Sequence, residues 1–143
     1  MQKSKSTITV AGLGDRSQGE GGVDILIVDD EPYILRSLSF VLKKEGYACE
    51  TARDGEEAIE KVKRFQPKVL FLDIMMPKKT GFEVCRTLKA DPEYRSTKVI
   101  MLTAKGQQHD IDEAKSSGAD DYVTKPFSPK KILEKLSAFI NLR

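Results

Sequence analysis

The chain has 143 residues, 39% of them apolar and 32% charged, the length of one small domain with enough apolar side chains to bury a core. Its 24 basic and 22 acidic residues leave a formal charge of +2, a balance that argues against a nucleic-acid-binding face. No apolar run approaches the roughly 18 residues that would span a bilayer.

Residues 1–22 are rich in Ser, Lys, Gln and Gly, lack a sustained apolar period, and read as a disordered tail or linker. Lys3 and Lys5 precede Ile8, Val10, Ala11 and Leu13, but that stretch is too short and interrupted for an export signal. One folded domain is expected over residues 23–143. It opens with Ile25-Leu26-Ile27-Val28, a run apolar on both faces as a buried parallel strand requires, ending on Asp29 and Asp30.

Pro32 then starts a helical stripe of Ile34, Leu35, Leu38, Val41 and Leu42, closed by Gly46 in the left-handed position that ends helices. The pattern repeats with a strand over Tyr47 to Thr51, a turn at Asp54-Gly55, and a helix carrying Ala58, Ile59 and Val62 that stops before Pro67. Val69 to Leu72 form a third strand ending on Asp73, followed by a loop from Pro77 to Gly81 and a helix with Phe82, Val84, Cys85 and Leu88. A fourth strand, Val99 to Leu102, ends on Thr103 and leads to a polar helix from Asp110 to Ser117 that Gly118 terminates. The last unit is Tyr122-Val123-Thr124, then Lys125-Pro126, then a helix with Ser128 as N-cap, Pro129 at its first position and Ile132, Leu133, Leu136 and Ile140 on its apolar face.

Five strand–helix units with short loops predict an α/β fold, an open parallel sheet with helices on both faces. Cys49 and Cys85 are far apart, with neither a CxxC spacing nor a neighbouring His, so both read as core or half-buried thiols in a reducing cytoplasm. His109 lies in the polar helix without a sequence partner and is assigned no role.

In open parallel sheets ligands bind beyond the carboxyl ends of the strands. Those ends carry Asp29 and Asp30, Asp73, Thr103 and Lys125. Clustered carboxylates repel one another unless a hard cation neutralises them, and an all-oxygen set suits Mg2+ (or Mn2+). A lysine and a hydroxyl beside a carboxylate nucleophile supply donors for the oxygens of a transferring phosphoryl group.

With Ile27-Val28-Asp29-Asp30-Glu31, Leu72-Asp73-Ile74-Met75-Met76-Pro77, Met101-Leu102-Thr103-Ala104 and Tyr122-Val123-Thr124-Lys125-Pro126-Phe127 all at strand ends and in order, residues 23–143 resemble the response regulator receiver domain of two-component phosphorelays. The resemblance implies a flavodoxin-like, doubly wound five-stranded sheet of order 2-1-3-4-5. It implies that Asp73 accepts a phosphoryl group from a sensor histidine kinase, a phosphotransfer protein or a small phosphodonor. Asp30, Asp73 and the backbone carbonyl of Met75 would hold Mg2+, with Asp29 acting through water. Thr103, Ala104 and Lys125 would surround the phosphoryl group, the lysine aimed by a cis peptide bond to Pro126. Thr103 would draw Tyr122 inward, remodelling the surface of the fourth helix, fifth strand and fifth helix for a downstream protein or an attached effector. Met75 and Lys105 would flank the path of the hydrolytic water; apolar Met75 offers that water no hydrogen bond, so slow self-dephosphorylation is expected.

Each residue also has a plainer reading. Asp29 and Asp30 favour a helix N-terminus, Asp73 suits a turn before Pro77, Thr103 can cap a helix, and Tyr122 is an ordinary strand aromatic. A haloacid-dehalogenase-type phosphohydrolase would need a second acid two residues after Asp73, where Met75 stands, so substrate turnover is not expected. A docking module without chemistry would not need the full set of acids, threonine and lysine. Asp110-Ile111 and Lys130-Lys131-Ile132 depart from the Asp-Arg and acid-plus-Arg patterns by which DNA-binding relatives dimerise, and the sequence fits either a stand-alone receiver that signals by docking or a fragment of a larger protein.

Overall fold

In the computed structural model, which describes residues 22–104 and 108–140, strand and helix alternate throughout. The strands are β1 (Ile25–Val28), β2 (Cys49–Ala52), β3 (Val69–Asp73), β4 (Lys98–Thr103) and β5 (Asp121–Thr124). The helices are α1 (Pro32–Lys44), α2 (Gly55–Phe65), α3 (Gly81–Ala90), α4 (Gln108–Ser116) and α5 (Pro129–Ser137). All strand pairs are parallel, in the order β2-β1-β3-β4-β5. The predicted tail, apart from Gly22, and Lys105 lie outside the described residues.

Side-chain alternation divides the core into two layers. Leu26, Val28, Leu70, Leu72, Val99 and Met101 meet the buried faces of α2, α3 and α4 on one side. Ile25, Ile27, Val69, Phe71, Ile100 and Leu102 meet α1 and α5 on the other. Because β1 and β3 are buried on both faces, their unbroken apolar runs are what the sheet requires.

Turn chemistry sets the boundaries. Gly46 and Gly118 adopt φ of 95° and 101°, each closing a helix with paired backbone bonds: Gly46 N–H donates to Lys43 and Tyr47 N–H to Leu42, and likewise Gly118 to Lys115 and Ala119 to Ala114. This closure explains why β2 begins at Cys49 and not at Tyr47. The Tyr47 amide completes the α1 terminus, and its buried ring packs in the α1 layer. At the other end of the chain, α5 stops at Ser137, short of Ile140. The Ala138 and Phe139 amides bond three residues back, tightening the last turn, and Ile140 packs against the core from beyond the helix.

Candidate functional site

Register determines what meets at the carboxyl edge. Val28 pairs with Leu72, so Asp29 and Asp73 leave adjacent strands at the same level; Asp73 pairs with Leu102, and Thr103 with Thr124. The Lys125 amide donates to the Thr103 carbonyl at 2.7 Å, carrying the β4–β5 pairing one residue further and turning the lysine across the edge. The Lys125–Pro126 peptide is cis, as the resemblance implied.

One carboxylate oxygen from each of Asp29, Asp30 and Asp73 lies within 4.8 Å of the others. Asp29 is fully buried, Asp73 nearly so, and Asp30 is exposed, so the cluster opens to solvent on one side. Lys125 Nζ lies 2.9 Å from Asp29 Oδ2 and 3.3 Å from Asp73 Oδ1, with Glu31 Oε1 at 3.7 Å. Its approach to Asp73 is a hydrogen bond, whereas its approach to Asp29 Oδ2 is an ion pair off the hydrogen-bonding direction. That buried oxygen therefore has a counter-charge but no donor aimed at it. Asp29 Oδ1 accepts from the Glu31 amide at 2.9 Å.

The electrostatics follow from burial and crowding. Burial, then the neighbouring Asp29 charge, pushes the Asp73 carboxyl up to about 6 against the pull of Lys125, with Asp30 adding to the rise. Burial works against the charged form of Lys125, but its contacts with Asp29 and Asp73 outweigh that and hold the ammonium above the ordinary lysine range. One cation thus serves two buried anions, leaving net negative charge at the edge.

This donor set fits a magnesium ion. Octahedral Mg2+ with oxygens at about 2.1 Å separates its ligands by roughly 3–4 Å, and the three carboxylates already converge near that spacing. Among the described residues no hydrogen bond ends on the Met75 carbonyl. The Met75 side chain is 71% exposed at the rim.

The other predicted residues sit nearby without joining the cluster. Thr103 is buried, and its hydroxyl donates to the Val123 carbonyl across a long 3.5 Å. Ala104 is exposed immediately beyond β4. Tyr122 is half-buried against the α2–α3–α4 layer, on the same side of the sheet as Thr103, with Lys135 Nζ 5.6 Å from its ring centre. Burial raises the Cys49 thiol to about 12 and also raises Cys85, consistent with packing thiols and not reactive ones. His109 is exposed on α4 beside Asp110.

Sequence reasoning missed two contributors. Glu31 stands in the acidic string that opens α1, yet its ion pair with Lys125 depends on a strand four crossovers later in the chain. Gly81 begins α3 so close to the sheet that a Cβ there would lie 2.5 Å from the Asp73 carbonyl oxygen, and its amide donates to Ile74 at 2.8 Å. A glycine straight after the Pro77–Thr80 loop was the available signal.

Residues 25–137 match the family model described as the response regulator receiver domain. The chain is 41% identical over 116 residues to the transcriptional regulatory protein ResD of Bacillus subtilis, covering 81% of this chain and 47% of that one. It is 36% identical to protein PilG of Pseudomonas aeruginosa, covering 86% and 91%. Among solved structures, chemotaxis protein CheY4 of Vibrio cholerae superposes with a TM-score of 0.77 at 34% identity, covering 82% of this chain and 98% of that one. The chain spans about half the length of the first curated relatives it matches. None of the described helices is long and apolar enough to cross a membrane.

Proposed function

This chain belongs to the response regulator receiver domain family of two-component systems, and on that footing we propose that Asp73 is the phosphoacceptor of a Mg2+-dependent signalling switch. The observation that carries this reading is the single ammonium of Lys125 spanning buried Asp29 and Asp73 beside exposed Asp30. Such a cluster is poorly neutralised at rest, and a divalent cation would supply the missing positive charge, so that an anionic phosphoryl group can approach.

In the forward step an Asp73 carboxylate oxygen attacks phosphorus, the bond from phosphorus to the donor's imidazole nitrogen breaks, and that nitrogen keeps the electron pair and takes a proton. Asp30, Asp73 and the Met75 carbonyl would hold Mg2+, with Asp29 reaching it through water. Bound there, the ion would neutralise charge on the phosphoryl oxygens as they approach three carboxylates. Lys125 needs only to swing from Asp29 toward Asp73 to pair with a phosphoryl oxygen, because both carboxylates already lie within its reach. Thr103 exchanges its weak bond to the Val123 carbonyl for a charge-assisted bond to the phosphoryl group, and Tyr122, on the same face, follows it inward. The readout surface is α4, β5 and α5.

Receiver domains are switches and not substrate-turnover enzymes; here phosphoryl transfer and hydrolysis would both occur at the chain's own aspartate. The donor partner would be a sensor histidine kinase or phosphotransfer protein. The recipient would be a downstream protein or an attached effector, with the cytoplasm as the compartment. DNA binding by relatives such as the DNA-binding response regulator MtrA belongs to proteins about twice as long as the matched segment, and the balanced charge of this chain favours protein contacts over direct DNA contact.

Incubation with Mg2+ and acetyl phosphate, read by intact mass, tests the proposal. One added phosphoryl group that is absent in Asp73→Asn supports it; no adduct in a protein that also fails to bind Mg2+ overturns it in favour of a docking module.

A further inference from the structure

The first turn of α2 contributes no atom to the acidic cluster, yet it packs tightly against the loop that follows Asp73. A Cβ added at Gly55 would lie 2.5 Å from Lys79 Cβ, 2.7 Å from the Lys79 carbonyl oxygen and 3.0 Å from Val84 Cγ2. Two of those atoms are backbone or fixed to it, so a larger residue cannot be absorbed by swinging a flexible side-chain end. The loop is held in three further ways. Lys78 sits at φ 73°, the Gly81 amide closes the loop onto Ile74, and Lys78 Nζ reaches Asp54 at 3.8 Å and Glu56 at 3.7 Å. Asp54 is itself the N-cap of α2, accepting from the Glu57 amide at 2.8 Å. Helix start and loop are therefore fastened by a close packing contact inside and an ion pair outside.

We propose that Gly55 is a positioning residue for the metal site: the α2 N-terminus is the wall that sets where the Met75–Lys79 loop, and with it the Met75 carbonyl, stands relative to Asp73. This rests on the reading of Met75 as a metal ligand and adds an element to it. A carbonyl ligand has no side chain of its own to adjust, so its place depends wholly on what its loop leans against. Proline, glycine and capping residues define one side of this loop, and Gly55 defines the other. It follows that displacement of α2 is felt as a change in metal affinity without any contact to the metal.

The test compares Mg2+ affinity in wild type, Gly55→Ala, Gly55→Ala with Lys79→Gly, and Val62→Ala, each measured well below its melting temperature. Val62 is buried in the same helix, away from the loop contact, and reports generic loss of α2 packing. Gly55→Ala is expected to weaken Mg2+ about tenfold, the scale of an outer-shell positioning loss. Removing Lys79 Cβ, the nearest of the three atoms, should recover part of it, the Lys79 carbonyl contact remaining, while Val62→Ala leaves affinity unchanged. A second measurement needs no variant: on titrating Mg2+ into wild type, the Gly55 amide resonance should move with the same midpoint as Met75. If wild type binds Mg2+ but Gly55→Ala behaves like Val62→Ala and the Gly55 amide stays still, the positioning role is overturned alone. If wild type binds no Mg2+, the functional reading fails and this inference fails with it.

Discussion

Lys125 Nζ stands closer to Asp29, at 2.9 Å, than to Asp73, at 3.3 Å, so the resting lysine is held mainly by the deepest carboxylate of the site. Asp29 is fully buried and has no other cation within ion-pair distance among the described residues. Taking the ammonium away strands two buried anions, which is the costly way to break such a pair. Lys125→Met should therefore lose about 2–4 kcal/mol in urea unfolding at neutral pH without divalent ions, the lower part of this range reflecting the partial exposure of the ammonium. Millimolar Mg2+ should restore a substantial part. Equal losses with and without Mg2+ would contradict the shared-charge account.

The Asp73 carboxyl gives a pH dependence of defined sign. Its folded value of about 6 lies above the unfolded 3.8, so between those limits the folded state binds more protons than the unfolded chain. Stability from this group is present below pH 3.8 and is lost as pH rises through 6. A shift of that size corresponds to at most about 3 kcal/mol. In metal-free protein, Asp73→Asn should be more stable than wild type at pH 7, with the advantage shrinking as pH approaches 4. Mg2+ competes with the same proton, so its affinity should fall as pH drops below about 6, approaching tenfold per unit. An affinity flat from pH 7 to 5 would count against Asp73 as a ligand.

The fold was legible because its signals are local and agree. The apolar runs of β1 and β3, Gly46 and Gly118 after helices, the Asp54-Gly55 turn and the Ser128 cap each constrain the backbone within a few residues. The acidic cluster was legible because parallel strands in register bring their ends together. What escaped depends on distances between segments remote in sequence. The Glu31 pairing with Lys125 and the Gly55 approach to Lys79 both need the crossovers to be in place. Thr103 was placed at the edge, but only geometry shows its hydroxyl turned to Val123. The Tyr47 and Ile140 boundaries shifted because helix-closing bonds took amides that pattern alone gave to a strand or a longer helix.

Met75 is exposed at the mouth of the site and carries no group that can orient water. If phosphorylated Asp73 is hydrolysed by a water approaching past this side chain, a polar replacement should help. Met75→Asn is expected to shorten the phosphoryl lifetime at least threefold, about 0.7 kcal/mol of barrier, with little change in stability at so exposed a position. Decay of the intact-mass adduct after removal of acetyl phosphate measures it, and an unchanged lifetime would remove Met75 from the water path.

Lys135 links the strand and helix of the proposed readout surface. Its ammonium lies 3.1 Å from Asp121 Oδ1 and 5.6 Å from the Tyr122 ring centre, reaching from α5 to two successive residues of β5. At partial exposure the two contacts together are worth about 1 kcal/mol. If Tyr122 turns inward on phosphorylation, the ring contact belongs to the resting state alone, and Lys135 opposes the switch by that part of its stabilisation. Lys135→Ala should then shift the unphosphorylated population toward the inward ring, by about two- to threefold for a ring share of about 0.5 kcal/mol, and raise phosphorylation at equilibrium by the same factor. Fluorotyrosine NMR reads the ring environment directly, since the chain has 4 tyrosines and single substitutions assign them. A Tyr122 signal that moves on phosphorylation but not in Lys135→Ala would separate the switch from the lysine. A signal that moves in neither would remove Tyr122 from the switch, leaving Thr103 and Lys125 to carry the change to the surface by another route.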